Sequence, residues 1–142
     1  MRIWHKDLLQ YLPDAQFKGQ LRELVAIMRA WRDDGKTNHL LINKVMEYGK
    51  EHLYSYFLDY VVEYKLRYCD VPKQMKEFRD FANGKFSEDV YDGWHEKEYL
   101  RVCMANLYEK RFFGKGASQI TPREWECLAA GYKEITGEDY QV

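Results

Sequence analysis

Proline and cysteine are scarce in this 142-residue chain, at 3 each, and glycine numbers only 9. So little Pro and Gly excludes a collagen-like or low-complexity chain. Cys69, Cys103 and Cys127 are widely spaced and form no C-x-x-C pair, which argues against a disulfide framework and a Cys-rich zinc site. They read as buried thiols in a reducing compartment. No apolar run approaches the ~18 residues of a membrane span, so no membrane partner is expected. The opening segment, Met1 to Leu12, lacks the look of a secretory or transit peptide, which favours the cytoplasm. Neither sign of charge dominates, with 22 Lys and Arg against 23 Asp and Glu. That balance excludes a polybasic tail and an acidic disordered chain. G-x-G-x-x-G, Walker A, G-x-S-x-G and H-E-x-x-H are all missing. His5, His39, His52 and His95 are scattered without metal-ligand spacing, so neither metal nor cofactor is expected.

What the chain does have is apolar and aromatic mass: 46% hydrophobic residues, including 12 Tyr, 7 Phe and 4 Trp. Most of these rings read as core; a stacking surface for flat ligands or bases is the other reading. The length fits one domain. Phe17, Leu21, Leu24, Val25, Met28 and Trp31 repeat at helical spacing, predicting a helix from Pro13 or Asp14 to about Trp31. Asp33-Asp34-Gly35 ends it. Further helices are expected over 38–48, broken at Gly49, then from about Glu51 to Tyr68. This third helix, with Tyr54, Phe57, Val61, Tyr64 and Tyr68 on one face, reads as the central core helix. Pro72 opens a short helix to about Phe81, closed by Asn83-Gly84. Residues 84–94 read as loop or a single turn. His95 to Phe112 is amphipathic, with Tyr99, Leu100, Cys103 and Leu107 inward. Thr121-Pro122-Arg123-Glu124 matches a capping box with Pro at the first helical position, opening a helix to about Tyr132. The expected fold is all-α, a compact single domain of five or six helices spanning 1–142. Residues 117–142 form a C-terminal extension with one capped helix.

Charge is spread unevenly. Residues 1–85 hold 15 Lys and Arg against 12 Asp and Glu, and residues 86–142 hold 7 against 11. An anion-binding face therefore belongs in the N-terminal half, although a pI near 6.4 argues against strong nonspecific nucleic-acid binding. At about 100° per residue, Lys18, Arg22, Arg29 and Arg32 fall within roughly 80° of one another. Such a basic stripe can follow a phosphate backbone; a plain solvated helix side is the alternative. Glu23 sits beside Arg22. In a DNA-binding cleft a carboxylate repels phosphate, so its presence there calls for a catalytic reason.

Met1-Arg2-Ile3-Trp4-His5, Leu12-Pro13-Asp14 and Gln20-Leu21-Arg22-Glu23-Leu24 together resemble the opening of the pyrimidine-dimer DNA glycosylase family. Ala30-x-Arg32 extends the likeness. His95-Glu96, Glu109-Lys110 and Phe112-Phe113-Gly114-Lys115 echo it downstream. The resemblance implies a metal-free glycosylase and abasic-site lyase whose nucleophile is the N-terminal α-amine. Arg2 is too large for initiator removal, so Met1 is retained and its amine takes that place. An α-amine has a pKa of about 7.7–8.0 against about 10.4 for lysine, and Arg2 and Arg22 would lower it further by repulsion. Glu23 matches the catalytic carboxylate. Arg2 and Arg22 match phosphate-binding arginines, with Gln16, Lys18, Arg29, Arg32 and Lys115 as further DNA contacts.

Two positions depart from the family pattern. Its third key arginine is Ala26 here, for which Arg29 or Arg32 is the expected substitute. Its Gln-His pair is Ala15-Gln16. One residue is inserted ahead of Arg22, placed in a loop at His5–Asp7. The implied partner is double-stranded DNA carrying damaged bases, bound by a monomer. The alternatives are an abasic-site lyase or glycosylase for another lesion, and a non-catalytic helical binding module.

Overall fold

A computed structural model describes residues 2–35 and 39–142. These residues form six α-helices and no strand: α1 (Asp14–Asp34), α2 (Leu40–Tyr48), α3 (Lys50–Tyr68), α4 (Met75–Phe81), α5 (Lys97–Phe112) and α6 (Pro122–Thr136). Two short 3-10 segments, Lys6–Tyr11 and Gly116–Ser118, complete the inventory. No described helix is long and apolar enough to cross a membrane. The all-α expectation holds. Position 38, the expected start of the second helix, lies outside the described residues. The fourth helix starts at Met75 and not at Pro72: Val71 and Pro72 carry no regular structure, and residues 73–74 form a turn.

By its contacts the chain forms two compact units. Unit 1 comprises Leu21–Asp92 with Arg2 and Ile3. Its core is aromatic. Phe57 of α3 stacks on Phe78 of α4 with ring centroids 3.8 Å apart, and both are fully buried. Tyr56, Tyr60 and Tyr91 are also fully buried, and Trp31 meets Phe81 edge-on at 5.2 Å. On α3 the expected stripe holds at Tyr54, Phe57 and Val61. Tyr64 and Tyr68 are only half-buried and pack on each other. The segment after α4 is tied to α3 by polar groups. The Ser55 hydroxyl accepts the Ser87 N–H at 2.7 Å, and His52 Nδ1 accepts the Tyr91 N–H at 3.0 Å. These bonds let a non-helical segment lie against the core without stranded backbone donors.

Unit 2 comprises Trp4–Gln20 and Gly93–Val142. The expected His5–Asp7 loop is instead the start of ordered structure. His5 caps the 3-10 helix Lys6–Tyr11, its Nδ1 accepting the Asp7 N–H at 3.1 Å. The cause is tertiary: Leu8 and Leu9 are buried, and the His5 ring stacks on His95 at 5.1 Å. Burial pushes the His5 pKa down, which favours the neutral ring that can accept this bond. The Lys6 N–H donates to His95 Nδ1 at 3.0 Å.

The capping box is present in full: Thr121 accepts the Glu124 N–H, and the Glu124 carboxylate accepts the Thr121 N–H. Helix α6 runs one turn beyond Tyr132, to Thr136, and stops at Gly137, which adopts the left-handed conformation at φ 76°. Leucine at 128 and Tyr132 face inward, and Gly131 between them lies directly on the Tyr11 ring. A Cβ at position 131 would overlap that ring. Gly131→Ala is therefore expected to destabilise by about 1–3 kcal/mol through overpacking. Removing the ring in a Tyr11→Ala background should erase most of that increment. Thermal unfolding of the two single variants and the double variant measures it, and an additive double variant would show that Tyr11 is not the obstacle.

The expectation for the cysteines needs correction. Only Cys103 is buried, whereas Cys69 and Cys127 are exposed free thiols. Cys69 sits beyond the last turn of α3 as its left-handed cap, and Cys127 lies on the outer face of α6.

Candidate nucleic-acid interface

Met1, the nucleophile implied by the family resemblance, lies outside the described residues. The other candidates divide between the units. Unit 1 carries Arg2, Arg22, Glu23, Arg29 and Arg32; unit 2 carries Gln16, Lys18 and Lys115.

Within unit 1, Arg22 and Glu23 are neighbours on α1, about 100° apart around its axis. Arg22 is exposed and makes no ion pair with another described residue. Its guanidinium is thus open to an incoming anion. Glu23 is half-buried, as is Arg2. Ala26, in place of the family's third arginine, is exposed and offers no charge.

Arg29 and Arg32 are drawn together by a residue that sequence reasoning missed, Glu77 of α4. Arg29 donates from Nε to Glu77 Oε2 at 2.9 Å and from Nη2 to Oε1 at 3.0 Å. Arg32 donates from Nη1 to Oε2 at 2.7 Å, and from Nε to Asp33 Oδ1 at 2.8 Å. The Arg29 hydrogen bonds, assisted by Arg32, hold the Glu77 carboxyl down to about 2. The same contacts raise Arg29 above its usual value. Arg32 is raised by Asp33 first and Glu77 second, and Asp33 is lowered by Arg32. All four groups are therefore charged near neutral pH, and two cations balance two anions. No local spacing could have revealed this, because Glu77 lies 48 and 45 residues from its partners in sequence.

Within unit 2, Lys18 pairs with Asp14 one turn back at 3.0 Å, with both side chains exposed. Gln16 is buried, and its amide nitrogen donates to the Ser118 carbonyl at 2.8 Å. That bond fixes the start of α1 to the second 3-10 segment and holds the Gln16 side chain inside the protein. Lys115 is exposed, preceded by the exposed rings of Phe112 and Phe113. Among the described residues no group of three His, Cys, Asp or Glu is placed to hold a metal.

Residues 1–76 match the family model described as pyrimidine dimer DNA glycosylase. The matched stretch takes in Arg2, Arg22, Glu23, Arg29 and Arg32. No curated protein and no solved structure matches the chain.

Proposed function

The chain belongs to the pyrimidine dimer DNA glycosylase family, and from that premise we propose that it removes a damaged pyrimidine and then nicks the strand, through an imine made by its N-terminal amine. In the first step the unprotonated Met1 amine attacks C1′ of the damaged nucleotide. The bond from C1′ to the base nitrogen breaks, and the base leaves with that electron pair. The nitrogen gives up one proton, the C1′–O4′ bond breaks with its electron pair going to O4′, which takes up a proton, and a protonated C1′ imine results. In the second step a proton is lost from C2′ and the bond from C3′ to its phosphate oxygen breaks, completing β-elimination. Water then releases the enzyme.

Each residue has a role that its chemistry suits. Glu23 stabilises the positive charge that develops at C1′ and manages protons in ring opening and elimination. Arg22 and Arg2 hold flanking phosphates. The observation that carries the reading is that the family match contains Arg2, Arg22 and Glu23 together, with Arg22 exposed and in no ion pair with another described residue. Taking a nucleotide out of the stack costs a few kcal/mol, and less at a damaged site.

Borohydride trapping on an abasic-site duplex tests the reading. A covalent adduct is expected, mapped by mass spectrometry to the α-amine, and acetylating the N-terminus should abolish it with the fold unchanged. An adduct on a lysine would sink the nucleophile assignment, and no adduct would sink the imine.

A second reading keeps this chemistry and changes the lesion. It draws on Ala26, which adds no charge to the stripe, and on Gln16, which is buried. Cleavage of an abasic duplex with no cleavage of a dimer-containing one would select it.

A further inference from the structure

The Arg stripe of α1 has two grades. Arg22 is open, whereas Arg29 and Arg32 are both engaged by one carboxylate. A carboxylate held bidentately by a guanidinium occupies the donor geometry that a phosphate would use. Glu77 is well placed for this: its side chain is 25% exposed, and its two carboxylate oxygens accept three hydrogen bonds from the two arginines. Together with Asp33 it leaves the four-residue cluster with no net charge to attract a phosphate.

We propose that Glu77 is a specificity-determining residue that occupies Arg29 and Arg32 in competition with DNA phosphate, and so holds down affinity for undamaged duplex. The inference rests on the DNA-binding reading above. A phosphate reaches these two arginines only by displacing Glu77. Undamaged duplex, held through few contacts, does not supply that displacement. A lesion complex, anchored also at the extruded nucleotide, does. Discrimination then comes from a built-in cost against the wrong partner.

The test compares wild-type protein with Glu77→Gln on an undamaged duplex and on one carrying a tetrahydrofuran abasic analogue, by fluorescence anisotropy across a salt series. Glu77→Gln keeps the shape and removes the charge. It should bind undamaged duplex about 5–20-fold tighter near 0.1 M salt, with a log–log salt slope steeper by about one to two, as expected for freed phosphate contacts. Affinity for the abasic analogue should rise less, so the ratio between the two falls. Adding Arg29→Ala and Arg32→Ala to Glu77→Gln should remove the gain. Glu77→Ala serves as a second variant if the Gln form does not fold.

A role confined to pinning α4 to α1 would lower the melting temperature and leave the salt slope unmoved, and that result overturns the proposal. So would equal or weaker binding by a folded Glu77→Gln when the wild type binds. Absence of DNA binding in wild type and variant alike would overturn the DNA-binding reading, and the inference with it.

Discussion

Replacing Glu23 by Gln is expected to slow single-turnover strand cleavage by about 10²–10⁴-fold, the span of positioned proton transfer and charge stabilisation. Affinity for an abasic duplex should stay within about fivefold, since a partly exposed carboxylate contributes no more than about 1 kcal/mol to ground-state contacts. The two effects separate because the substitution removes charge and keeps shape. In the proposed mechanism the carboxylate acts on cationic character at C1′, which exists in the transition state and is absent from bound substrate. Two unit charges about 4 Å apart at an effective dielectric near 20 interact by about 4 kcal/mol, which corresponds to about 10³-fold in rate, the middle of that range. In the same reading, binding rests on arginines that the variant leaves in place, with Arg22 exposed beside it. Glu23→Asp keeps the charge but draws it back toward α1, and should fall between the two. Parallel loss of binding and cleavage in Glu23→Gln would mark Glu23 as a structural residue.

Phe57→Ala should cost about 3–5 kcal/mol of folding free energy, a large share of the roughly 5–15 kcal/mol that holds a domain together. The ring is fully buried, and it lies parallel to Phe78 at 3.8 Å, so truncation opens a cavity and strips one face of the second ring. Phe78 follows Glu77 on the short helix α4, so the same change should loosen the carboxylate that engages Arg29 and Arg32. Urea unfolding measures the first effect. Phe57→Leu, which refills much of the space, should recover more than half of the loss. If Phe57→Ala cost less than about 1 kcal/mol, the stack would not carry the α3–α4 packing.

Local signals were legible and distant ones were not. The capping box at Thr121–Glu124 and the break at Gly49 could be read from a few adjacent residues, and both are present. The basic stripe followed from helical geometry alone. The 3-10 helix Lys6–Tyr11 could not be read in that way. Six residues show no periodicity, and this segment is held by a His5 cap, by buried Leu8 and Leu9 and by its packing on α6. Ile27 lies outside the stripe that the apolar spacing defines on α1 yet is fully buried, because the buried arc of this helix is wider than that stripe. Gln16 and Gln20 belong to that extra coverage. Buried amides need partners, and theirs are the Ser118 carbonyl and the Trp4 N–H, 102 and 16 residues away. Glu77 was invisible for the same reason. At the candidate site, residue types came from sequence, while the commitments between them came from tertiary structure.

Unit 2 is assembled from Trp4–Gln20 and Gly93–Val142, with the whole of Leu21–Asp92 between them in sequence. During synthesis at about 5–20 residues per second, that intervening stretch takes on the order of 4–14 s to emerge. Local helices form within microseconds, so the continuous Leu21–Asp92 segment can collapse on its own Phe57–Phe78 stack while the ribosome is still at work. The early segment has to wait. The 3-10 helix Lys6–Tyr11 is made well before α6, on which it packs and whose Gly131 lies against the Tyr11 ring. For those seconds the newborn chain displays a short greasy segment with no native cover, and protection by a chaperone would matter most in that interval.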